Sequence, residues 1–247
     1  DDTDKLKVLF EDALKFGIAF DPPDVNRGTH RFEPVTDKVI RYGLGAIKGT
    51  GQQAIEAIVA AREAGGPFSS LFDFCVRVDR TRLNKRTVEA LIKAGAFDSL
   101  HLNRAALVAS IDKAFEFANA TAANANQGGL FDMLGDDSHG SSTQEPELEN
   151  TLPWGIKERL TQEKSAVGFY LSGHLFDAVE REVRQFARRK IEDLSESREP
   201  QLVAGIVSDL RIINGQRGKV AIFKLDDKSG VMEATADEGL INSARHA

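Results

Sequence analysis

The chain has 247 residues, 41% of them hydrophobic and 28% charged, with a formal net charge of -6. That allows one or two ordinary globular domains, and no apolar run approaches the length of a membrane span. One cysteine, Cys75, excludes internal disulfides and thiolate cages, and the five histidines stand at no ligand spacing, so no metal site and no Ser-His or Cys-His nucleophile is expected. The N-terminal Asp-Asp-Thr-Asp has neither the basic nor the apolar part of a signal peptide, which points to a cytoplasmic protein. A first residue other than Met, and strands that stop early at the other end, read as a piece of something larger. Leu6, Leu9, Phe10, Ala13 and Leu14 share one face of a helix over residues 5–16, which Gly17 ends. Pro22 to Asn26 interrupts regular structure, and a short strand is expected near Val39 to Tyr42.

The stretch from Tyr42 to Gly51 is the most informative. Leu44, Ile47, Ala54, Ile55 and Ile58 supply the apolar side of two short helices, and Gly49 and Gly51 bracket a turn too tight for side chains. The second helix, Gln52 to Arg62, opens with free backbone amides beside those glycines, which is a phosphate seat. This is the pattern of the helix-hairpin-helix motif, which grips the DNA backbone without reading its sequence. Lys48, Gly49, Thr50 and Gly51 are its expected contacts. A nucleotide-binding loop would continue into a third glycine or Gly-Lys-Ser/Thr, whereas Gln52 and Gln53 follow here. A plain turn between two core helices is the structural alternative.

Gly65-Gly66-Pro67 stops the helix, Ser69 or Ser70 caps another through Val78, and Asn84 caps a third through Ala94 that Gly95 ends. Asn103 caps a helix with Leu107, Ile111, Ala114, Phe115 and Ala118 on one face, so residues 84–118 read as a second, degenerate hairpin without Gly-x-Gly. Charge changes sign along the chain: residues 1–40 carry six basic and nine acidic groups, 41–118 eleven and eight, and 119–153 none and six. Within the basic part, Arg82, Lys85, Arg86 and Arg104 are the expected side-chain contacts to DNA phosphates.

From Asn119 to Pro153 the composition turns to Asn, Ala, Gly, Ser, Asp and Glu, which reads as a linker or mobile loop. Leu130, Phe131, Met133 and Leu134 interrupt it, either pinning the linker to its own domain or forming a docking peptide. Helical spacing returns at Ile156 to Leu171 and Phe176 to Phe186, separated by Ser172-Gly173-His174. Strands are then expected at Leu202–Ile213, Lys219–Leu225 and Val231–Ala236, with turns at Asn214-Gly215 and at Asp226 to Gly230. Three antiparallel strands in this order open an OB-fold barrel, which needs five. The expected fold class is mainly α, with tandem helix-hairpin-helix region and connecting helices before a partial OB-fold β-barrel.

Several blocks in order, among them Pro22 to Asn26, Tyr42 to Gly49, Leu91 to Asp98, Gly168 to His174 and Leu225 to Asp227, resemble the C-terminal part of the alpha-subunit family of bacterial DNA polymerase III, the C-family replicative polymerases. The resemblance implies the end of a fingers domain at 1–40, tandem hairpins at 41–118, a linker at 119–153, connecting helices at 154–200 and the start of an OB domain at 202–247 that contacts single-stranded template. It also implies that Gln127, Leu130 and Phe131 form the motif that docks on the sliding clamp. Family members use magnesium held by palm aspartates, and nothing here matches those, so no catalytic residue and no cofactor is expected in this piece. The resulting expectation is a DNA- and clamp-binding part of a replicative polymerase, working beside other replicase subunits and away from membranes. The alternatives are a hairpin module of a DNA repair enzyme and a helical scaffold that binds no DNA.

Overall fold

A computed structural model describes residues 3–132, 144–215 and 218–244, and they fall into two units, 1–172 and 173–247. In the first unit, α1 (Thr3–Lys15) ends at Gly17, whose φ of 74° lets the chain close the helix with an Ile18 amide to Ala13 carbonyl bond of 3.0 Å. Phe10 packs on Phe20 and Phe169 with ring centroids 4.5 and 4.9 Å away. Leu9 and Leu14, expected on the same face, are exposed, because the core meets α1 only along the narrower stripe of Leu6 and Phe10.

A three-stranded sheet comes next, with β3 (Val39–Arg41) central, parallel to β1 (Ala19–Asp21) and antiparallel to β2 (Glu33–Thr36). Of these only β3 is legible in the sequence, since strands of three or four residues are too short to show alternation. The irregular Pro22–Asn26 segment is a buried junction. Asp24 accepts from the Asn26 amide at 2.7 Å, Arg27 Nε at 2.8 Å and the Ser99 hydroxyl at 3.0 Å. Asn26 and the Phe68 backbone bond each other reciprocally at 2.9 and 2.7 Å, and Arg62 donates to the carbonyls of Val25 and Gly28 at 3.0 and 2.9 Å. These bonds bring segments some 40 residues apart into one core, which does not break at residue 40.

The helices of this unit are α2 (Gln52–Gly65), α3 (Leu71–Arg77), α4 (Lys85–Lys93), α5 (Arg104–Ala109), α6 (Ile111–Asp132) and α7 (Ile156–Val167). Three of them carry the expected N-caps: Ser70 accepts from the Asp73 amide at 2.9 Å, Asn84 from Thr87 at 2.9 Å and Asn103 from Ala106 at 3.1 Å. Phe68, Phe74 and Phe97 stack edge-on, each step 4.9 Å. Cys75 is fully buried, and burial pushes its thiol up to about 12, so it serves as a small core residue.

Two helical expectations change. The helix expected from Asn103 to Ala118 is interrupted at Ser110, whose buried hydroxyl bonds back to the Ala106 carbonyl at 2.7 Å and accepts the Glu149 amide at 2.8 Å. The linker expected from Asn119 is helical as far as Asp132, its many alanines offsetting the asparagines. Beyond the undescribed 133–143, residues 145–151 lie along the preceding helices. Lys113 Nζ donates to the Glu147 carbonyl at 2.9 Å and Asn103 Nδ2 to the Thr151 carbonyl at 2.7 Å.

The second unit, taken by itself, has a short helix α8 (Glu180–Val183), an antiparallel meander β4 (Ile206–Gly215), β5 (Gly218–Asp226) and β6 (Val231–Ala236), and α9 (Glu238–Ala244). β4 begins four residues later than expected and carries an irregularity between Ser208 and Arg211, where Asp209 takes φ 53°. Asn214 and Gly215, expected in the turn, are in β4, paired with Lys219 and Gly218. Asp227, which is buried, ties the β5–β6 connection to the preceding chain. It accepts from Arg184 Nη2 at 2.7 Å, the Ile191 amide at 3.0 Å and the Ser229 hydroxyl at 2.6 Å.

Candidate nucleic-acid interface

Where two short helices were expected around the glycines, the first is a single 3-10 turn, Leu44–Ala46. The chain then reverses through Gly49, at φ 81°, a conformation disfavoured for any residue with a Cβ. Gly51 comes next in extended conformation as the N-cap of α2 and brings no side chain to the helix end. The first amides of α2 are therefore left to solvent or a ligand. The four glycines of the motif do different work. A Cβ added at Gly49 or Gly51 would meet nothing within 4 Å, so both open outward. At Gly43 it would stand 2.6 Å from the Arg31 backbone and at Gly45 2.4 Å from the His30 ring, so those two permit close packing of the chain behind the turn.

A few bonds set the turn in place. The Lys48 amide donates to the Ala166 carbonyl at 2.8 Å, and Thr50 Oγ1 lies 2.8 Å from the Leu44 carbonyl and 2.7 Å from that of Ile47. The Thr87 hydroxyl, on α4, reaches the Gly49 carbonyl at 3.3 Å. Thr50 thus turns its hydroxyl inward, and what it contributes is the shape of the turn. Gly49, Gly51, Gln52 and Gln53 line an open depression of about 650 Å³ together with Arg82, Asn84 and Thr87. The beginnings of α2 and α4 thereby converge on one concave surface, with the positive ends of both helix dipoles toward it.

The expected basic residues divide. Lys48 and Arg86 are exposed and in no ion pair among the described residues. Arg82 lines the depression, its Nε 3.7 Å from Asp79 with both side chains half exposed, a contact weak enough to exchange for a phosphate. Lys85 is also exposed, 2.5 Å from Asp112. Arg104 is different and the expectation for it was wrong. It is 5% exposed, forks onto Asp98 at 2.8 and 2.6 Å, donates to the Lys93 carbonyl at 3.1 Å and meets buried Glu163 at 3.2 Å. All three of its nitrogens donate inside the protein. Arg77 is another interior anchor, donating to the carbonyls of Ala61 and Gly66 at 2.9 and 2.6 Å.

The sequence argument overlooked Asn84 and Thr87 as walls of this surface, although an Asn three residues before a Thr at a helix start was a legible cap. The backbone of 127–131 belongs to α6, while the side chains of Gln127, Leu130 and Phe131 lie outside the described residues. Among the described residues no three His, Cys, Asp or Glu gather as a metal site, and no helix is long and apolar enough to cross a membrane.

A helix-hairpin-helix motif family model matches residues 17–107, which takes in the depression, the small sheet and the Asp24 junction. The chain is 48% identical over 233 residues to DNA polymerase III subunit alpha of Neisseria meningitidis serogroup B and 41% identical over 255 residues to that of Pseudomonas aeruginosa. The subunit from Caulobacter vibrioides is 40% identical over 239 residues. Each alignment covers 94% of this chain but only 20 or 21% of the relative, so the chain spans about a fifth of the proteins it matches.

Proposed function

We propose that this chain, a relative of the bacterial DNA polymerase III alpha subunits over the fifth of their length that it spans, holds duplex DNA by its backbone while a polymerase centre works elsewhere on a longer chain. The observation that carries this is the open Gly49–Gln53 turn, whose uncapped amides share a depression with Arg82. A phosphate seated there would accept hydrogen bonds from the first amides of α2, with Arg82, Lys48, Lys85 and Arg86 neutralising neighbouring phosphates. None of these groups is held for a base edge, so the grip would be indifferent to sequence, as a moving polymerase needs.

The remaining parts of the reading rest on the family resemblance. The meander of the second unit would begin an OB domain for single-stranded template. Gln127, Leu130 and Phe131 would dock on the sliding clamp, and magnesium would serve palm aspartates outside this chain. Several weak contacts joined by one chain raise the effective concentration of each, which is the physical basis of processivity. The test is fluorescence anisotropy of a labelled duplex with the whole chain. Binding should be equal on unrelated sequences, with log K falling by about 0.9 per phosphate contact in log salt. Gly51→Val should weaken it at every sequence, and undiminished binding by that variant would refute the hairpin seat.

A further inference from the structure

The depression at the start of α2 is lined by a second charged residue besides Arg82, and its sign is wrong for a phosphate seat. That residue is Glu56. It follows Gln52 by four positions, so the two share one face of α2. Side chains on a helix lean toward its N-terminus, and Gln52 Nε2 donates to Glu56 Oε1 at 2.8 Å. The carboxylate is therefore held over the first turn of α2, on the side of the uncapped amides.

An anion beside a helix N-terminus is favourable to the helix, and a DNA phosphate would seek the same place. Glu56 is exposed and enters no ion pair among the described residues. Arg82, the cation of the same lining, is half exposed and already lies 3.7 Å from Asp79. The lining of the depression thus carries no surplus of positive charge, and Lys48, Lys85 and Arg86 stand outside it. A phosphate that enters must displace the Glu56 carboxylate or bear its repulsion.

Given the hairpin seat, on which this inference rests, we propose that Glu56 is a built-in competitor of the DNA backbone. Its carboxylate stands at the approach to the α2 amides in the free chain and weakens the grip on a bound phosphate. Gln52 holds it in that position. The result is a contact that lets go readily, which suits a chain that moves along a duplex.

The test is anisotropy of a labelled duplex with the whole chain over a series of salt concentrations. Glu56→Gln keeps the size of the side chain and removes its charge. It should tighten binding about threefold to fivefold at about 0.1 M salt, the strength of one exposed charge pair. The gain should shrink as salt rises, so log K against log salt should fall more steeply than in the parent. Glu63 is the control, exposed, outside the depression and seven residues further along α2. That places it about 10 Å further along the helix, close to the screening length, so Glu63→Gln should change affinity less than about 1.5-fold. An equal gain from Glu63→Gln would overturn the proposal, because net charge alone would then account for it. Unchanged binding by Glu56→Gln beside weakened binding by Gly51→Val would remove the competitor and leave the seat. If Gly51→Val bound as the parent does, seat and competitor would fall together.

Discussion

Arg104 and Asp98 face each other as a two-pronged pair, Nε to Oδ1 at 2.8 Å and Nη2 to Oδ2 at 2.6 Å, with Glu163 closing the third side of the guanidinium. Glu163 in turn accepts the amides of Leu171 and Ser172 at 2.8 and 2.7 Å. One arginine thus ties the turn after α4, the start of α5 and the end of α7. Arg104→Met should lower the unfolding free energy by about 3 kcal/mol, because it leaves the buried Glu163 carboxylate, and the half-buried Asp98, uncompensated. Arg104→Lys keeps the charge but loses the fork and should cost less. Urea denaturation measures both, and the salt slope of duplex binding, which a lysine would preserve in any case, should be unaltered in Arg104→Met read below its unfolding transition. A slope lower by about one unit would show that the guanidinium does reach a phosphate.

The glycines of the hairpin should rank by what surrounds them. Gly43→Ala forces a methyl to within 2.6 Å of the Arg31 backbone and should be the most destabilising. Gly49→Ala meets no atom but must hold φ at 81°, a strain of about 1 kcal/mol. Gly51→Ala, at φ -83° and in open space, should leave thermal stability near that of the parent or raise it slightly. Thermal melts of the three variants check the order, and a large loss at Gly51 would contradict it.

Acid should weaken the second unit in a definite range. Burial alone would raise the Asp227 carboxyl, but hydrogen bonds from Ser229, Arg184 and the Ile191 and Gly230 amides prevail and hold it at about 2, below its unfolded value of about 3.9. Because the folded value is the lower one, its contribution, of the order of 1–2 kcal/mol, is complete above about pH 4 and is lost as pH falls toward about 2. Asp227→Asn should be less stable than the parent at neutral pH, and the gap should narrow over that interval. A gap that stays constant with pH would show that the carboxylate charge is not the source.

The clamp motif can be tested by substitution. Burying two large apolar side chains contributes roughly 3–6 kcal/mol, and the glutamine hydrogen bond about 1 more. Ordering Gly128 and Gly129 in the docked form subtracts from that, which leaves millimolar to micromolar binding. Replacing Gln127, Leu130 and Phe131 by Ala in the whole chain should abolish binding to a bacterial sliding clamp in a titration. Binding that persists would remove the motif from this segment.

Local chemistry alone determined a good deal of this protein. Helix starts at Ser70, Asn84 and Asn103, stops at Gly17 and Gly66, and the reversal at Gly49 are set by a cap oxygen or a positive φ, and each involves residues only a few positions apart. The hairpin turn was legible for the same reason, as were the three strands after residue 200. Which way side chains face was another matter. Arg82 and Arg104 look alike in the sequence, yet one lines the open depression and the other is enclosed by Asp98 and Glu163. The glycines of the turn also look alike, until Arg31 and His30 arrive behind Gly43 and Gly45. Asp24 and Asn26 became a junction only because Ser99 and Phe68 fold onto them. Burial and pairing depend on partners tens of residues away in the chain, so periodicity and capping cannot assign them, and it took the packed core to separate the arginines that could hold DNA from the one that holds the protein.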